Sequence, residues 1–131
     1  MSLKVELKAG ERVIVGDTVV TNLESSRIKL LIRGPSPVLR EKDVLMPEAA
    51  DTVAKRVYGL VQAMYLAGAS EAQRAATNDL LAEILRHAPS TGTLIAQLVE
   101  HLDSDEIYKA LKAARSLVDY EAELLAAAAR S

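Results

Sequence analysis

A chain of 131 residues has room for one compact domain, or for a small domain with a helical extension. Half of its residues are hydrophobic, as in ordinary globular proteins, but the aromatics are four tyrosines alone (Tyr58, Tyr65, Tyr108 and Tyr120), so the core must be built from Leu, Ile, Val and Ala. A formal net charge of −2 excludes a polybasic, phosphate-coating protein, and the lack of cysteine excludes disulfide frameworks and thiolate metal sites.

Leu3, Val5 and Leu7 alternate with Lys4, Glu6 and Lys8, a period of two that predicts a strand with one apolar and one charged face. Gly10-Glu11 breaks it. Arg12 to Val15 and Thr18 to Leu23 flank Gly16-Asp17, a connection suited to a tight hairpin. Asn22 to Ser26 reads as a second polar turn. Arg27 to Arg33 alternates again, with Ile28, Leu30 and Ile32 opposite Arg27, Lys29, Leu31 and Arg33. Gly34-Pro35-Ser36-Pro37 stops that strand because proline has no N–H to give a ladder, and Val38 to Asp43 is the last short strand.

At Pro47 the period changes. Proline at a first helical position, with Glu48 and Asp51 in the opening turns, predicts a helix start. Val53, Val57, Leu60 and Met64 then recur at helical spacing up to a stop at Gly68. Ser70-Glu71-Ala72-Gln73 has the spacing of a capping box and opens a helix through Leu80, Leu81, Ile84 and Leu85 to Pro89. Leu94 to Leu102 is a shorter helix. Asp103 and Glu106 are expected to cap the last helix, whose stripe runs Ile107, Ala110, Leu111, Ala114, Leu117, Val118, Leu124 and Leu125, with Ala126 to Ala129 as a fraying end. The expected architecture is α+β: a small antiparallel β-sheet domain over residues 1–46, then a bundle of about four helices over residues 47–131.

Charge follows the same division. Residues 1–45 carry 8 Lys/Arg against 6 Asp/Glu, net +2, whereas residues 46–131 carry 8 against 12, net −4. This balance allows a localised RNA contact on the N-terminal part. No segment has the apolar length of a membrane span and the N-terminus lacks a signal-peptide apolar core, so a cytoplasmic protein with no membrane attachment is expected. Enzyme chemistry finds little footing. His87 and His101 stand near helix ends outside any His-Glu-x-x-His pattern, and phosphate-loop, dinucleotide-binding and nucleophile-elbow motifs are absent. Asp103, Asp105 and Glu106 read as acids of a helix N-terminus. No catalytic residue, metal ligand or cofactor is expected.

Gly10-Glu11-Arg12-Val13-Ile14-Val15-Gly16-Asp17, then Arg27-Ile28-Lys29-Leu30-Leu31-Ile32, then Val38-Leu39-Arg40-Glu41 resembles the small β-sheet RNA-binding proteins of the carbon storage regulator (CsrA) family. Leu3-Lys4-Val5-Glu6-Leu7-Lys8, Leu39-Arg40-Glu41-Lys42-Asp43, Arg56-Val57-Tyr58, Gln62-Ala63-Met64-Tyr65-Leu66, Tyr108-Lys109-Ala110-Leu111-Lys112-Ala113-Ala114-Arg115 and Asp119-Tyr120-Glu121 make the chain, from about Leu3 to Leu125, similar to the flagellar regulator FlbT family. The FlbT resemblance implies a post-transcriptional repressor of flagellin synthesis acting on the 5′ untranslated leader of flagellin mRNA, with FlaF or flagellin as candidate protein partners. The CsrA resemblance implies an intertwined homodimer whose first and last strands pair across chains.

In the CsrA pattern, an arginine followed by glutamate at the start of the last strand reaches bound RNA, and Arg40-Glu41 takes that place after a turn two residues shorter than usual. The planar guanidinium can bond guanine O6 and N7 or grip phosphate. Lys4 and Lys8 on the charged face of the first strand, together with Lys42, are expected to add positive charge beside Arg40. Glu6 departs from the pattern and is expected to repel phosphate. Arg27, Lys29 and Arg33 read as a solvated row that discourages edge aggregation. Tyr108, Lys109 and Lys112 form a candidate partner surface on the last helix. The rival reading is a protein-binding adaptor or chaperone-like module for flagellin or an assembly partner, favoured by the acidic helical part and the few stacking aromatics.

Overall fold

The alternation of Leu3, Val5 and Leu7 with charged residues folds as the first of five strands in the computed structural model, which describes residues 2–130. These are β1 (Ser2–Leu7), β2 (Arg12–Val15), β3 (Thr18–Thr21), β4 (Ile28–Arg33) and β5 (Val38–Arg40). They form two antiparallel ladders, β1–β4 and β3–β2–β5, instead of one continuous sheet. In the first ladder Val5 lies opposite Leu30 and Leu7 opposite Ile28, so the apolar faces of both strands coincide. Val5, Leu7 and Val13 are buried between the ladders, with Val15, Val20, Ile28, Leu30, Ile32 and Val38 packed around them.

Gly16-Asp17 makes the expected two-residue turn, with Gly16 at φ 62°, a left-handed conformation in which a side chain would be strained. The Gly16 N–H donates to the Pro37 carbonyl at 2.8 Å, tying the hairpin to the approach of β5. β3 ends at Thr21, short of the Leu23 expected from sequence, because Asn22 turns inward. Only 1% of Asn22 is exposed. The two hydrogens of its Nδ2 are shared among the carbonyls of Leu7 (3.1 Å), Lys8 (3.0 Å) and Ser26 (2.9 Å), and its Oδ1 accepts from the Glu24 N–H at 2.9 Å.

The last strand is also shorter than expected. β5 stops at Arg40, and Glu41–Asp43 is a 3-10 turn, so Lys42 lies on a turn and not on a strand. The cause is Arg12. Its backbone N–H (3.1 Å) and its guanidinium Nε (3.0 Å) and NH2 (2.7 Å) all donate to the Glu41 carboxylate, drawing the chain off the ladder.

The chain divides into two compact units, Met1–Val44 and Leu45–Ser131, against a sequence boundary at Met46/Pro47. In the second unit, Pro47–Ala49 is a single 3-10 turn and not a helix start. The stronger signal is Thr52, whose side chain accepts the Lys55 N–H at 3.2 Å and caps α1 (Val53–Ala67). The capping box forms as its spacing predicts: the Ser70 Oγ accepts from the Gln73 N–H and the Gln73 side chain accepts from the Ser70 N–H, opening α2 (Glu71–His87). α3 (Gly92–Asp103) and α4 (Ile107–Arg130) complete the bundle. Asp103 closes α3 instead of capping α4. The turn is made by Asp105 at φ 56°, and Arg74 donates to the last-turn carbonyl of Leu102 at 2.8 Å. The alanine-rich end remains helical through Arg130.

α1 and α4 run antiparallel, as contacts between Tyr65 and Tyr108, Tyr58 and Arg115, and Ala54 and Glu121 show. Ala54, Ala110 and Ala114 are wholly buried, letting the helices approach closely, while Leu98 and Leu117 fill the space beside them. No helix among the described residues is long and apolar enough to cross a membrane.

Candidate nucleic-acid interface

Because side chains alternate across a strand, the β1–β4 register that buries Val5 and Leu7 points Ser2, Lys4 and Glu6 to the other face, beside Lys29, Leu31 and Arg33. Ser2 lies opposite Arg33, Lys4 opposite Leu31, and Glu6 opposite Lys29. The basic rows of the two strands are therefore one surface. Arg40, at the end of β5, reaches its edge: Lys4, Glu6, Lys29, Leu31 and Arg40 surround a groove of about 590 Å³ floored by Val5 and Leu30.

Of the four residues expected to contact RNA, the groove brings together Lys4 and Arg40. Lys8 follows the end of β1, where its N–H donates to the Glu11 carboxylate at 2.9 Å, and it does not line the groove. Lys42 sits on the 3-10 turn, also outside it. Lys29, expected from its alternation to belong to a solvated row, lines the groove and joins the group. The matching periods of the two strands put Arg27, Lys29 and Arg33 alike on the outward face, and the register then places Lys29 across from Glu6.

Glu6 is not a bare carboxylate on this face. Arg27 stands 3.5 Å from its Oε1, and Lys29 is its cross-strand neighbour. Arg40 makes no ion pair among the described residues, since the nearest sequence candidate, Glu41, is taken by Arg12. Leu31, 50% exposed, gives the groove one apolar contact between its cations. None of the four tyrosines lies in this unit, so stacking on a base here falls to the Arg40 guanidinium.

Hydrogen bonds from the Arg12 side chain, then from its backbone, hold the Glu41 carboxyl below its ordinary value near 4.5. A carboxyl with a depressed folded pKa contributes stability above its unfolded pKa and loses it as pH falls through the folded one. The turn behind Arg40 should therefore loosen in acid. Glu41→Gln is expected to lose less stability than the wild type between neutral pH and about pH 3; equal losses in denaturant titrations would contradict this role of the clamp.

The three residues expected to form a partner surface on α4, Tyr108, Lys109 and Lys112, are all exposed. The Lys112 Nζ lies 5.0 Å from the Tyr108 ring centroid, and that ring packs on Tyr65 with centroids 5.4 Å apart. Lys109, three residues before Lys112 on the helix, pairs with Glu106 at 2.8 Å. Hydrogen bonds from Lys109, then from His101, lower the Glu106 pKa, and Glu106 in turn raises that of Lys109.

Fold and groove together define a small α+β protein that presents a cationic sheet face on a β unit and joins it to an acidic helical unit. The family model described as "Flagellar protein FlbT" matches residues 3–125. A relative from Bradyrhizobium diazoefficiens, named probable flagellum biosynthesis repressor protein FlbT 1, is 43% identical over 95% of this chain and 85% of its own length. One from Rhodopseudomonas palustris is 41% identical over 95% and 98%, and the flagellum biosynthesis repressor protein FlbT of Caulobacter vibrioides is 34% identical over 95% and 90%. No solved structure matches. The chain belongs to the FlbT family, whose members are regulators of flagellar synthesis.

Proposed function

We propose that the protein represses flagellin synthesis post-transcriptionally, as a cytoplasmic homodimer that binds the 5′ untranslated leader of flagellin mRNA and lowers its translation or lifetime. The observation that carries this reading is the outward β1–β4 face, where Lys4, Lys29, Arg33 and Arg40 gather while Arg27 offsets Glu6. Cations spaced along two strands track a phosphate backbone, and the Arg40 fork at the groove edge suits guanine O6 and N7. The target is a single-stranded loop of the leader, because a paired A-form stem hides its base edges. The mechanism makes and breaks no covalent bond: bound protein hides the ribosome-loading segment or holds the leader in another fold. Exposed Leu3, Val19 and Leu23 on the β unit support a second protomer covering it.

A titration of fluorescent flagellin leader RNA with the purified protein tests the reading. Arg40→Ala is expected to weaken binding by roughly ten- to hundredfold, as removal of one bidentate base contact implies, with the circular dichroism spectrum unchanged. Wild-type affinity in that variant would remove Arg40 from the interface.

A further inference from the structure

α2 and α4 both lie against α1, and their C-terminal halves leave an apolar cleft of about 220 Å³. Leu117 is buried at its base, Ile84 and Leu124 form its walls, and Leu125 stands at its lip with 55% of its surface exposed. The spacing of Leu117, Glu121, Leu124 and Leu125 lays one stripe of α4 along the cleft. Its carboxylates stand beside one histidine, His87. Glu83 and Glu121 line it, and no lysine or arginine does so among the described residues. Glu121 is held in place by the Ala54 N–H, which donates to its Oε2 at 3.0 Å. The negative end of the α2 dipole, at His87, adds to the carboxylates on this wall, and the positive end of α1, at Val53 and Ala54, is answered by Glu121.

We propose that this cleft docks a cationic amphipathic helix of another protein, with apolar anchors entering between Leu117 and Leu125 and Lys or Arg side chains meeting Glu83 and Glu121. The volume lies below the roughly 300–1,000 Å³ of pockets for small ligands and suits the few side chains of a helix laid in a groove. A helix from a second copy of this chain does not match. The stripes of α1, α3 and the first half of α4 are buried in their own core, α2 exposes Leu85 but carries Glu71, Asp79 and Glu83 against Arg74 and Arg86, and the end of α4 exposes Leu125 beside Glu123. The inference stands apart from RNA binding, since every residue it uses lies in the helical unit.

The test titrates the full-length protein with a synthetic peptide of about 18 residues built from Leu and Lys, with Leu at i, i+3, i+4 and i+7. Saturable binding is expected, with NMR shifts centred on Ile84, Leu117, Leu124 and Leu125. The same peptide with Glu for Lys should bind at least tenfold more weakly, as should a scrambled Leu/Lys peptide lacking the stripe. Leu125→Asp and Glu83→Lys, both surface changes, should each weaken the Leu/Lys peptide about tenfold and leave leader RNA binding as it was. No saturable binding, equal binding of the Glu or scrambled peptide, or unchanged affinity in both variants would overturn the proposal. So would a fall in mass by light scattering in Leu125→Asp, which would assign the cleft to a second copy.

Discussion

Replacing Asn22 with alanine is expected to destabilise the β unit by roughly 3 kcal/mol, a large effect for an exposed-looking turn residue. The side chain is buried and serves three carbonyls and one N–H: the end of β1 through Leu7 and Lys8, and the loop leading to β4 through Ser26 and Glu24. Its own backbone accepts from Gly10 and donates to Glu11, so both turns meet at this residue. Each buried group left without a partner costs about 1–3 kcal/mol, reduced here where water can reach the partly exposed carbonyls. A unit of this size has little stability in reserve. Asn22→Asp should be at least as damaging, because it replaces the donor by an acceptor facing three carbonyl oxygens. Urea denaturation followed by circular dichroism measures both; a loss below about 1 kcal/mol for Asn22→Ala would show that the knot is dispensable.

Local periods carry the strands, the Gly16-Asp17 hairpin and the Ser70–Gln73 capping box, because each of these is decided by residues within a few positions of one another. The features that escape a local reading are long-range. Asn22 looks like any turn asparagine until the carbonyls of Leu7 and Lys8 are placed beside it. β5 ends at Arg40 because Glu41 answers to Arg12, which is 29 residues away. Pro47 is a sound helix-start signal that loses to a better one, the Thr52 hydroxyl accepting the Lys55 N–H. In the groove, Arg40 and Lys4 are legible from family resemblance and strand period, whereas Lys29 needs the β1–β4 register. Counting every second residue includes Lys8, but β1 ends at Leu7 before that rule reaches it. The apolar cleft is not legible at all. Its lining comes from several separate segments, and each of Ile84, Leu117 and Leu124 reads on its own helix as ordinary core.

Reversing charge at both Lys4 and Lys29 should have the largest effect on RNA of any pair of substitutions in the β unit. On the β1–β4 face, its flank and the groove edge, five cations (Lys4, Arg27, Lys29, Arg33 and Arg40) against the single carboxylate Glu6 would become three against three. The net potential that attracts phosphate would be cancelled. Lys4→Glu/Lys29→Glu is therefore expected to weaken leader RNA binding by at least about a hundredfold at low salt. The remaining affinity should respond less to salt, by about 0.7 in the log–log slope for each single-strand phosphate that the protein no longer neutralises. The fold should persist, since both side chains are exposed and neither has an ion pair among the described residues. Lys8→Glu is the matched control: it alters charge near the same strand but outside the groove, and should cost far less. Should the double variant keep wild-type affinity, or Lys8→Glu prove as damaging, the RNA would have to lie elsewhere on the molecule. Arg40→Ala separates base recognition from phosphate attraction. Without its base contact, the difference between the leader and an unrelated RNA should narrow while the salt slope stays nearly unchanged, whereas the lysine reversals should weaken both RNAs together and flatten the slope.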